Sequence, residues 1–390
     1  MEYKDKINKV LELIEEKHID MYFNITKEEL KEYVDLLLSK TEINNKYEFY
    51  YYINMIIKKI FGIFDFHTKV VFKEQDFYLP VRFKYIDNKL YIIRTTEEYK
   101  ELLYSEVKKI DNIDINKMIE EIKSITAYST EEYLTSQIEL FLINGYKIKS
   151  LPSVDSNKDN FIFEVNKDNE LIKKSLGKAE DVLLSINKPK QNYSYEIIND
   201  MIHIIYNMCG EDYENQMIGF VKEIEQKSKE LCIDKFIVDI RGNQGGNSAI
   251  INPLIDFLKN KEVVTLVDEY VCSSGRFAIL GLKNVDSKFV GTGIGTSLNC
   301  FGNAPTFEFD EFKIPISNKY FYIDTTYSYD NFKYADSKEK FKNLKQNRKL
   351  FASQIFEPDY YSKKSIYDYK EGIDRELEDA IRLLHEKQRT

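Results

Sequence analysis

The sequence predicts an α/β protein of mixed α+β type, whose C-terminal half is built from strand–turn–helix units. The apolar run at 236–240 has the length and composition of a strand that is buried on both faces. A turn with three glycines in five positions, 242–246, follows it and leads into a helical pattern. A second apolar run at 262–267 leads to a turn containing Ser273 and Ser274, and then to another helical pattern. These two successive units are the basis of the predicted fold class.

The N-terminal region, residues 1–61, has the periodicity of amphipathic helices. Thr26 and Glu29 have the spacing of a capping box at the start of the second helix, and a third helix is expected near 47–60. The segment that follows contains Asp65 and His67 among apolar residues. Taken alone, a histidine in such a segment is more often part of a core or a surface than of a catalytic site.

The middle of the chain predicts a smaller mixed unit. A hairpin is expected at 80–93, a helix at 115–125 and a further helix capped by Thr130. Residues 152–200 are polar and predict a linker with short strands at 161–165 and 182–185. A strand at 201–206 and a long helix at 214–230 then lead to the strand–turn–helix units.

Composition excludes several classes of protein. The 390 residues carry a net charge of −9 without a basic block, which argues against a nucleic-acid partner. The four cysteines include no close pair, so neither a metal site nor a disulfide framework is indicated, and no cofactor is expected. The N-terminus has no apolar signal-peptide core, and no run approaches the ~20 apolar residues that span a bilayer. We therefore expect a cytoplasmic protein without a membrane partner.

The serine turn and the glycine turn have complementary chemistry. A serine at a helix N-terminus lies among free amides that favour an anion beside it. The glycine turn can supply a second amide, which would complete an oxyanion hole. Asn247 or Ser248 is expected to cap the helix after the glycine turn.

These segments resemble the motifs of one family. The segment 239–246, Asp-Ile-Arg-Gly-Asn-Gln-Gly-Gly, resembles the Asp-x-Arg-x-Asn-Gly-Gly-Gly turn of the S41 serine peptidases, the C-terminal-processing or tail-specific proteases with their tricorn-like relatives. The turn 273–275 resembles their nucleophile turn, and 65–68, Asp-Phe-His-Thr, resembles the tricorn-like segment that carries the general base. The motifs follow one another in the family's order through most of the chain.

The resemblance implies a domain organisation. It predicts a ClpP/crotonase-like protease core over 201–390, preceded by an N-terminal helical cap over 1–74 that carries the histidine motif. Between them it predicts a degenerate PDZ-like domain over 75–151, which lacks the usual Gly-Leu-Gly-Phe-type loop, and the linker over 152–200. A PDZ-like domain would grip an extended peptide with a sheet edge and a helix.

The resemblance also implies roles for single residues. Ser273 is the expected nucleophile and His67 its general base, because the loop 291–301 has no lysine of the kind that the processing proteases use. The amide of Ser274 and that of Gly245 or Gly246 would hold the oxyanion. The carboxylate that orients His67 is expected to be Asp65 or Glu357.

Three further motif residues are interpreted beside the catalytic pair. Arg276 stands where the family has an acidic residue, and it is a surface replacement, a group that binds the carboxylate of a substrate tail, or a sign of lost activity. Asp239 and Arg241 are expected to brace the glycine turn rather than to act in chemistry.

The sequence leaves three functions open. The first is a serine endopeptidase or carboxypeptidase-like hydrolase acting on peptides or proteins. The second is a catalytically silent peptide-binding or scaffold protein, and the third is an acyl hydrolase with a non-peptide substrate. The lack of a Gly-x-Ser-x-Gly motif argues against an α/β-hydrolase. A homo-oligomer is among the alternatives for the assembly.

Overall fold

A computed structural model of the chain describes residues 3–74, 76–179, 191–323, 332–345 and 355–386. The helices over these residues are α1 (Tyr3–Lys17), α2 (Lys27–Lys40), α3 (Lys46–Phe61), α4 (Ile115–Ile125), α5 (Glu131–Leu142), α6 (Gly145–Ile148), α7 (Met217–Leu231), α8 (Asn252–Leu258), α9 (Gly275–Lys283), α10 (Lys338–Lys345), α11 (Ile366–Glu371) and α12 (Arg375–Glu386), with a 3-10 helix at Glu97–Leu102.

The strands of the described residues fall into four sheets. They are β1 (Val71–Phe72), β2 (Val81–Ile86), β3 (Lys89–Thr95), β4 (Glu106–Ile110), β5 (Ile113–Asp114), β6 (Phe161–Lys167), β7 (Glu170–Leu176), β8 (Tyr193–Ile198), β9 (Met201–Tyr206), β10 (Lys235–Asp239), β11 (Glu262–Val267), β12 (Lys288–Gly291), β13 (Cys300–Gly302), β14 (Thr306–Phe309), β15 (Phe312–Pro315), β16 (Lys319–Ile323), β17 (Phe332–Ala335) and β18 (Tyr360–Tyr361).

The core sheet has the strand order β18-β12-β11-β10-β9-β8. Its strands are parallel except β8, which pairs with β9 antiparallel. Helices α7, α8 and α9 supply apolar residues to the core on one face, and Ala380 and Leu384 of α12 pack on the other. All five residues of β10 are buried, because a parallel strand covered on both faces has no solvated side. The predicted mixed α+β core is confirmed.

The middle sheet has the order β2-β3-β4-β6-β7. Asp87 and Asn88 both have positive φ in the turn between β2 and β3, as the predicted hairpin requires. Asp168 and Asn169 form a second turn of this kind, between β6 and β7. The PDZ-like character of this unit stays a prediction.

The linker predicted over 152–200 needs a correction. Strands β6 and β7 complete the middle sheet, and β8 belongs to the core sheet. Polar residues dominate β7 because it is the last strand of its sheet, with most of its side chains exposed, and this composition resembles that of a linker. We therefore extend the middle unit to residue 176. The strand predicted at 182–185 lies outside the described residues.

The N-terminal helices and the middle sheet share one hydrophobic core. Buried residues of α1, α2 and α3 join those of the middle sheet and of β15 in a single apolar cluster. The capping box predicted at Thr26 and Glu29 is present. No helix of the described residues has the length and apolar character needed to cross a membrane.

Two small sheets fold the histidine segment back onto the C-terminal half. Strand β1 follows His67 by four residues and pairs with β15, Val71 lying opposite Lys313. Nearby, the Phe301 amide donates to the Phe64 carbonyl at 3.3 Å. These pairings hold His67 beside β13, although more than 230 residues separate His67 from Phe301. Early and late parts of the chain therefore meet in one place.

Candidate active site

The glycine turn and the serine turn lie side by side at one edge of the core sheet. They follow β10 and β11, which are parallel and in register, with Asp239 opposite Leu266. A Cβ added to Gly245 would lie 2.6 Å from the Ser274 nitrogen and 2.9 Å from the Ser273 Cβ. Only glycine permits this approach, and its φ of +102° also favours glycine.

The helix after the glycine turn begins later than predicted. Asn247 and Ser248 do not cap it, since α8 begins at Asn252 with Pro253 in its first turn. The Asn247 side chain instead accepts a hydrogen bond from the Ala249 amide, which closes a local turn. The helical pattern of the sequence was correct, but its first turn was placed too early.

Geometry separates Ser273 from Ser274. The Ser274 hydroxyl donates to the Gly246 carbonyl at 2.7 Å and so joins the two turns. The Ser273 hydroxyl has no hydrogen-bond partner among the described residues, and Ser273 lines the cavity described below. Its φ is +51°, a conformation that costs a non-glycine residue ~1 kcal/mol or more. The packed turns hold Ser273 in this conformation at the mouth of α9.

Asn243 organises the amides of the glycine turn. Its side chain is fully buried, donates to the Tyr206 carbonyl at 2.9 Å and accepts from the Gly245 amide at 2.9 Å. The Gly245 amide is therefore occupied. The amides of Gly246 and Ser274 have no acceptor among the described residues. Of the two glycines predicted for an oxyanion hole, Gly246 is the one whose amide is free.

His67 is held in a defined tautomer. Its Nδ1 lies 2.9 Å from the Phe301 carbonyl oxygen and must carry the proton, since a carbonyl only accepts. Its Nε2 is buried and has no partner among the described residues, so it presents a free lone pair. Burial lowers the pKa of His67 to about 4, with the charges of Lys69 and Arg276 acting in the same direction and Asp65 opposing them. The imidazole is neutral at pH 7.

Asp65 braces the histidine loop rather than the imidazole ring. Its Oδ1 lies 3.9 Å from the His67 Nδ1, beyond hydrogen-bond range, and accepts instead from the His67 backbone amide at 2.8 Å. Its carboxylate also accepts from the side chains of His18, Thr68 and Ser317. Burial alone would raise the pKa of Asp65, but these bonds and the nearby histidines outweigh it and lower that pKa to about 2. A backbone carbonyl therefore takes the ring-orienting position predicted for a carboxylate.

Glu357 lies away from the site. Its side chain is exposed in the segment before the edge strand β18, and it does not line the active-site cavity. Glu357 precedes Pro358 and Asp359, and this segment serves the sheet edge: the Asp359 carboxylate accepts from the Phe289 amide at 2.9 Å. The prediction of Glu357 as an orienting carboxylate is wrong.

Arg276 is buried, so its interpretation as a surface replacement is also wrong. Its side chain is 2% exposed, and its guanidinium lies 4.5 Å from the centre of the Phe277 ring and 5.5 Å from that of Phe321. Its Nη1 donates to the Ser297 carbonyl at 3.3 Å and contacts the Cys300 sulfur. Its Nε has no partner among the described residues. Arg276 thus places a positive charge in the wall of the active-site cavity.

Asp239 and Arg241 act as the predicted brace. The Arg241 guanidinium binds both Asp239 and Asp374, which precedes α12, so it ties the glycine turn to the C-terminal helix. Cys272 precedes the serine turn, and burial raises the pKa of its thiol to about 12, which disfavours the thiolate at neutral pH.

A cavity of about 450 Å³ lies between the histidine segment, the glycine turn and the serine turn. His67, Ser273, Ser274, Gly246 and Arg276 all line it. One cavity is thus lined by the predicted nucleophile, the predicted base and the two residues whose amides are free. Asp65 lies behind the cavity wall, and none of the described residues that line the cavity is an aspartate or a glutamate.

Comparison with solved structures identifies the fold. Mature CPAF aligns over 95% of this chain and 95% of its own, with a TM-score of 0.64 and 12% identity. Mature CPAF complexed with lactacystin aligns over 95% and 96%, with a TM-score of 0.61 and 12% identity. The chain has the S41 protease fold.

Other comparisons with the S41 protease fold add less. The photosystem II D1 C-terminal processing protease aligns over 93% of this chain and 94% of its own at 9% identity, and its TM-score of 0.45 is too low to support a conclusion. No protein-family model and no curated protein matches the sequence.

Two groups of the candidate site were not predicted from the sequence. The Phe301 carbonyl has no sequence signal at all, because any residue carries one. Lys69 lines the cavity and follows His67 by two residues. In an extended segment, residues two apart lie on the same face, so the position of Lys69 relative to His67 could have indicated that it shares the cavity.

Proposed function

We infer that the chain is a serine peptidase that cleaves peptide or protein substrates by acyl transfer through Ser273. One observation carries this proposal: His67 and Ser273 line the same cavity, and the His67 Nε2 has no partner among the described residues while its Nδ1 is fixed on the Phe301 carbonyl. A silent scaffold has no need of a histidine held in the tautomer of a general base. The endopeptidase and carboxypeptidase-like forms of this function use the same residues.

The chemistry follows from the arrangement. The Ser273 Oγ attacks the substrate carbonyl carbon as its proton passes to the His67 Nε2, and the amides of Ser274 and Gly246 stabilise the oxyanion. The imidazolium then returns the proton to the leaving amine, and water hydrolyses the acyl-enzyme by the same steps in reverse order. Asp65 supports the imidazolium through space and fixes the backbone of the loop.

A fluorophosphonate probe tests this proposal, because it reacts only with an activated serine. Labelling of the wild-type protein is expected to disappear in Ser273→Ala. In His67→Ala it is expected to slow by about 10²–10⁴-fold, the usual contribution of a general base. Ser274→Ala is the matched control: it removes a hydroxyl one residue away, which bonds the Gly246 carbonyl, and labelling should persist.

Circular dichroism and melting temperature establish that each variant is folded. A folded wild-type protein that takes no label contradicts the proposal and favours the silent scaffold. Labelling that survives in Ser273→Ala but not in Ser274→Ala would move the nucleophile to Ser274. Matched peptide and ester substrates then distinguish a peptidase from an acyl hydrolase with a non-peptide substrate.

A further inference from the structure

A small side chamber of about 80 Å³ adjoins the active-site cavity. The two spaces share four residues in their walls, Phe66, Lys69, Tyr133 and Gln137. Lys147 of α6 lines the side chamber but not the active-site cavity. A water molecule needs about 10–15 Å³ of such space, so the chamber has room for a small polar group together with water. It therefore has the size and position of a subsite for part of a substrate.

The chamber is lined by two lysines and by no acidic residue of the described chain. The Lys69 ammonium contacts the Tyr133 hydroxyl at 3.5 Å, the limit of a hydrogen bond. The Lys147 ammonium lies 5.8 Å from the centre of the Phe141 ring. Neither lysine forms an ion pair with a described residue.

The three lysines that are buried in the described chain have carboxylate partners. The pairs are Lys84 with Glu269, Lys149 with Asp159 and Lys235 with Asp200. Pairing is expected there, because a desolvated ammonium without an anion is costly. Lys69 and Lys147 are half-buried and have no such partner among the described residues, in a chain whose net charge is −9.

The electrostatics of the two lysines agree with a missing anion. Burial, together with the charge of Lys69, lowers the pKa of Lys147 to about 8. Burial also lowers the pKa of Lys69, while the nearby Cys272 thiol and the Asp65 carboxylate behind the wall act to raise it. An anion placed between the two ammonium groups would offset both effects, since it would interact with each charged form.

We propose that Lys69 and Lys147 form a subsite that binds a carboxylate group of the substrate beside the catalytic serine. This inference rests on the proposed peptidase function, which makes the bound molecule a substrate. The binding of a carboxylate to the two lysines does not itself require catalysis. The carboxylate is supplied either by an aspartate or glutamate side chain near the cleaved bond, or by the free α-carboxylate at a chain end. The first source makes the enzyme selective for acidic residues, and the second makes it act at C-termini.

Three small probes separate the two sources. N-acetylglutamic acid α-amide carries only a side-chain carboxylate, N-acetylglutamine carries only an α-carboxylate, and N-acetylglutamine amide carries neither. Their dissociation constants are measured by NMR titration against full-length Ser273→Ala protein, so that turnover does not interfere. Lys147→Gln removes the charge, Lys147→Arg keeps it, and Lys117→Gln changes an exposed lysine of α4 as a matched control.

One carboxylate probe is expected to bind at least about tenfold more tightly than the uncharged amide, the value of one charge-assisted hydrogen bond. This preference should be lost in Lys147→Gln and kept in Lys147→Arg and Lys117→Gln, and the probe that shows it identifies the source. Equal binding of all three probes, or a preference that survives in folded Lys147→Gln, overturns the inference. Carboxylate binding without fluorophosphonate labelling of the wild type would instead retain the subsite and refute the peptidase.

Discussion

Replacing Lys69 by methionine should move the acid limb of the pH profile of labelling, because the charge of Lys69 acts on His67, the proposed base. The pKa of His67 falls from its ordinary 6.5 to about 4, which disfavours the charged imidazolium by about 3 kcal/mol. Burial is the main cause, and the charges of Lys69 and Arg276 add to it against Asp65. Removing one such charge is worth on the order of 1–2 kcal/mol, or roughly one pKa unit.

The sign of the effect follows from the proposed role of His67. Only the neutral imidazole accepts the Ser273 proton, so the rate falls as pH drops through the pKa of His67. The wild-type labelling rate is therefore expected to be half-maximal near pH 4. In Lys69→Met the pKa rises, and the midpoint should move up by roughly one unit.

The assay is the second-order rate of fluorophosphonate labelling between pH 3.5 and 8, with circular dichroism at each pH as the test of folding. Lys117→Met is the control, because Lys117 is exposed on α4 and does not line the active-site cavity. A wild-type midpoint near pH 6.5 would refute the claim that burial and nearby positive charges lower the pKa of His67. A midpoint that is the same in wild type and Lys69→Met would refute the electrostatic role of Lys69.

Two further predictions test the scaffold of the site. Gly245→Ala should reduce labelling by about 10²-fold or more, because its Cβ would lie 2.6 Å from the Ser274 nitrogen. Gly242→Ala is the matched control: it has the same strain of a positive φ, +77°, but its Cβ meets nothing within 4 Å, so its effect on labelling should be much smaller. The unfolding free energy of the wild type should fall as the pH drops from about 5 to 2. The pKa of Asp65 is about 2 in the folded protein and about 3.9 in the unfolded chain, so the stability that its carboxylate contributes above pH 4 is lost in acid. In Asp65→Asn this loss should be smaller by about 2 kcal/mol in urea titrations, and an unchanged pH dependence would contradict the assignment.

The local elements were largely predictable from the sequence. The strand at 201–206 and the helix at 115–125 have the predicted bounds, because an apolar run or a helical period is a property of neighbouring residues. The turn after β10 was predictable for a similar reason. Closely spaced glycines indicate a tight turn or a close approach of the backbone that side chains would prevent. The errors at 152–200 and at the start of α8 arose where polar residues serve an edge strand or a turn.

Contacts between distant residues were not predictable from local pattern. Order along the chain suggested that His67 meets Ser273, but the pairing of β1 with β15 brings the histidine segment to the C-terminal half. Arg276 appears as a charged residue in the sequence and is buried by its stacking on Phe277 and Phe321. Burial depends on what the rest of the chain places around a side chain, and a sequence pattern does not contain that information.

The sequence by itself determined the strand–turn–helix units, the glycines that let two turns touch, and the serine at the mouth of α9, because short-range sterics and periodicity decide these features. Only the tertiary structure decided that a backbone carbonyl orients His67, that Glu357 lies away from the site, and that two lysines face one chamber. Those outcomes depend on packing between segments up to hundreds of residues apart, where position in space, and not residue type, selects the partner.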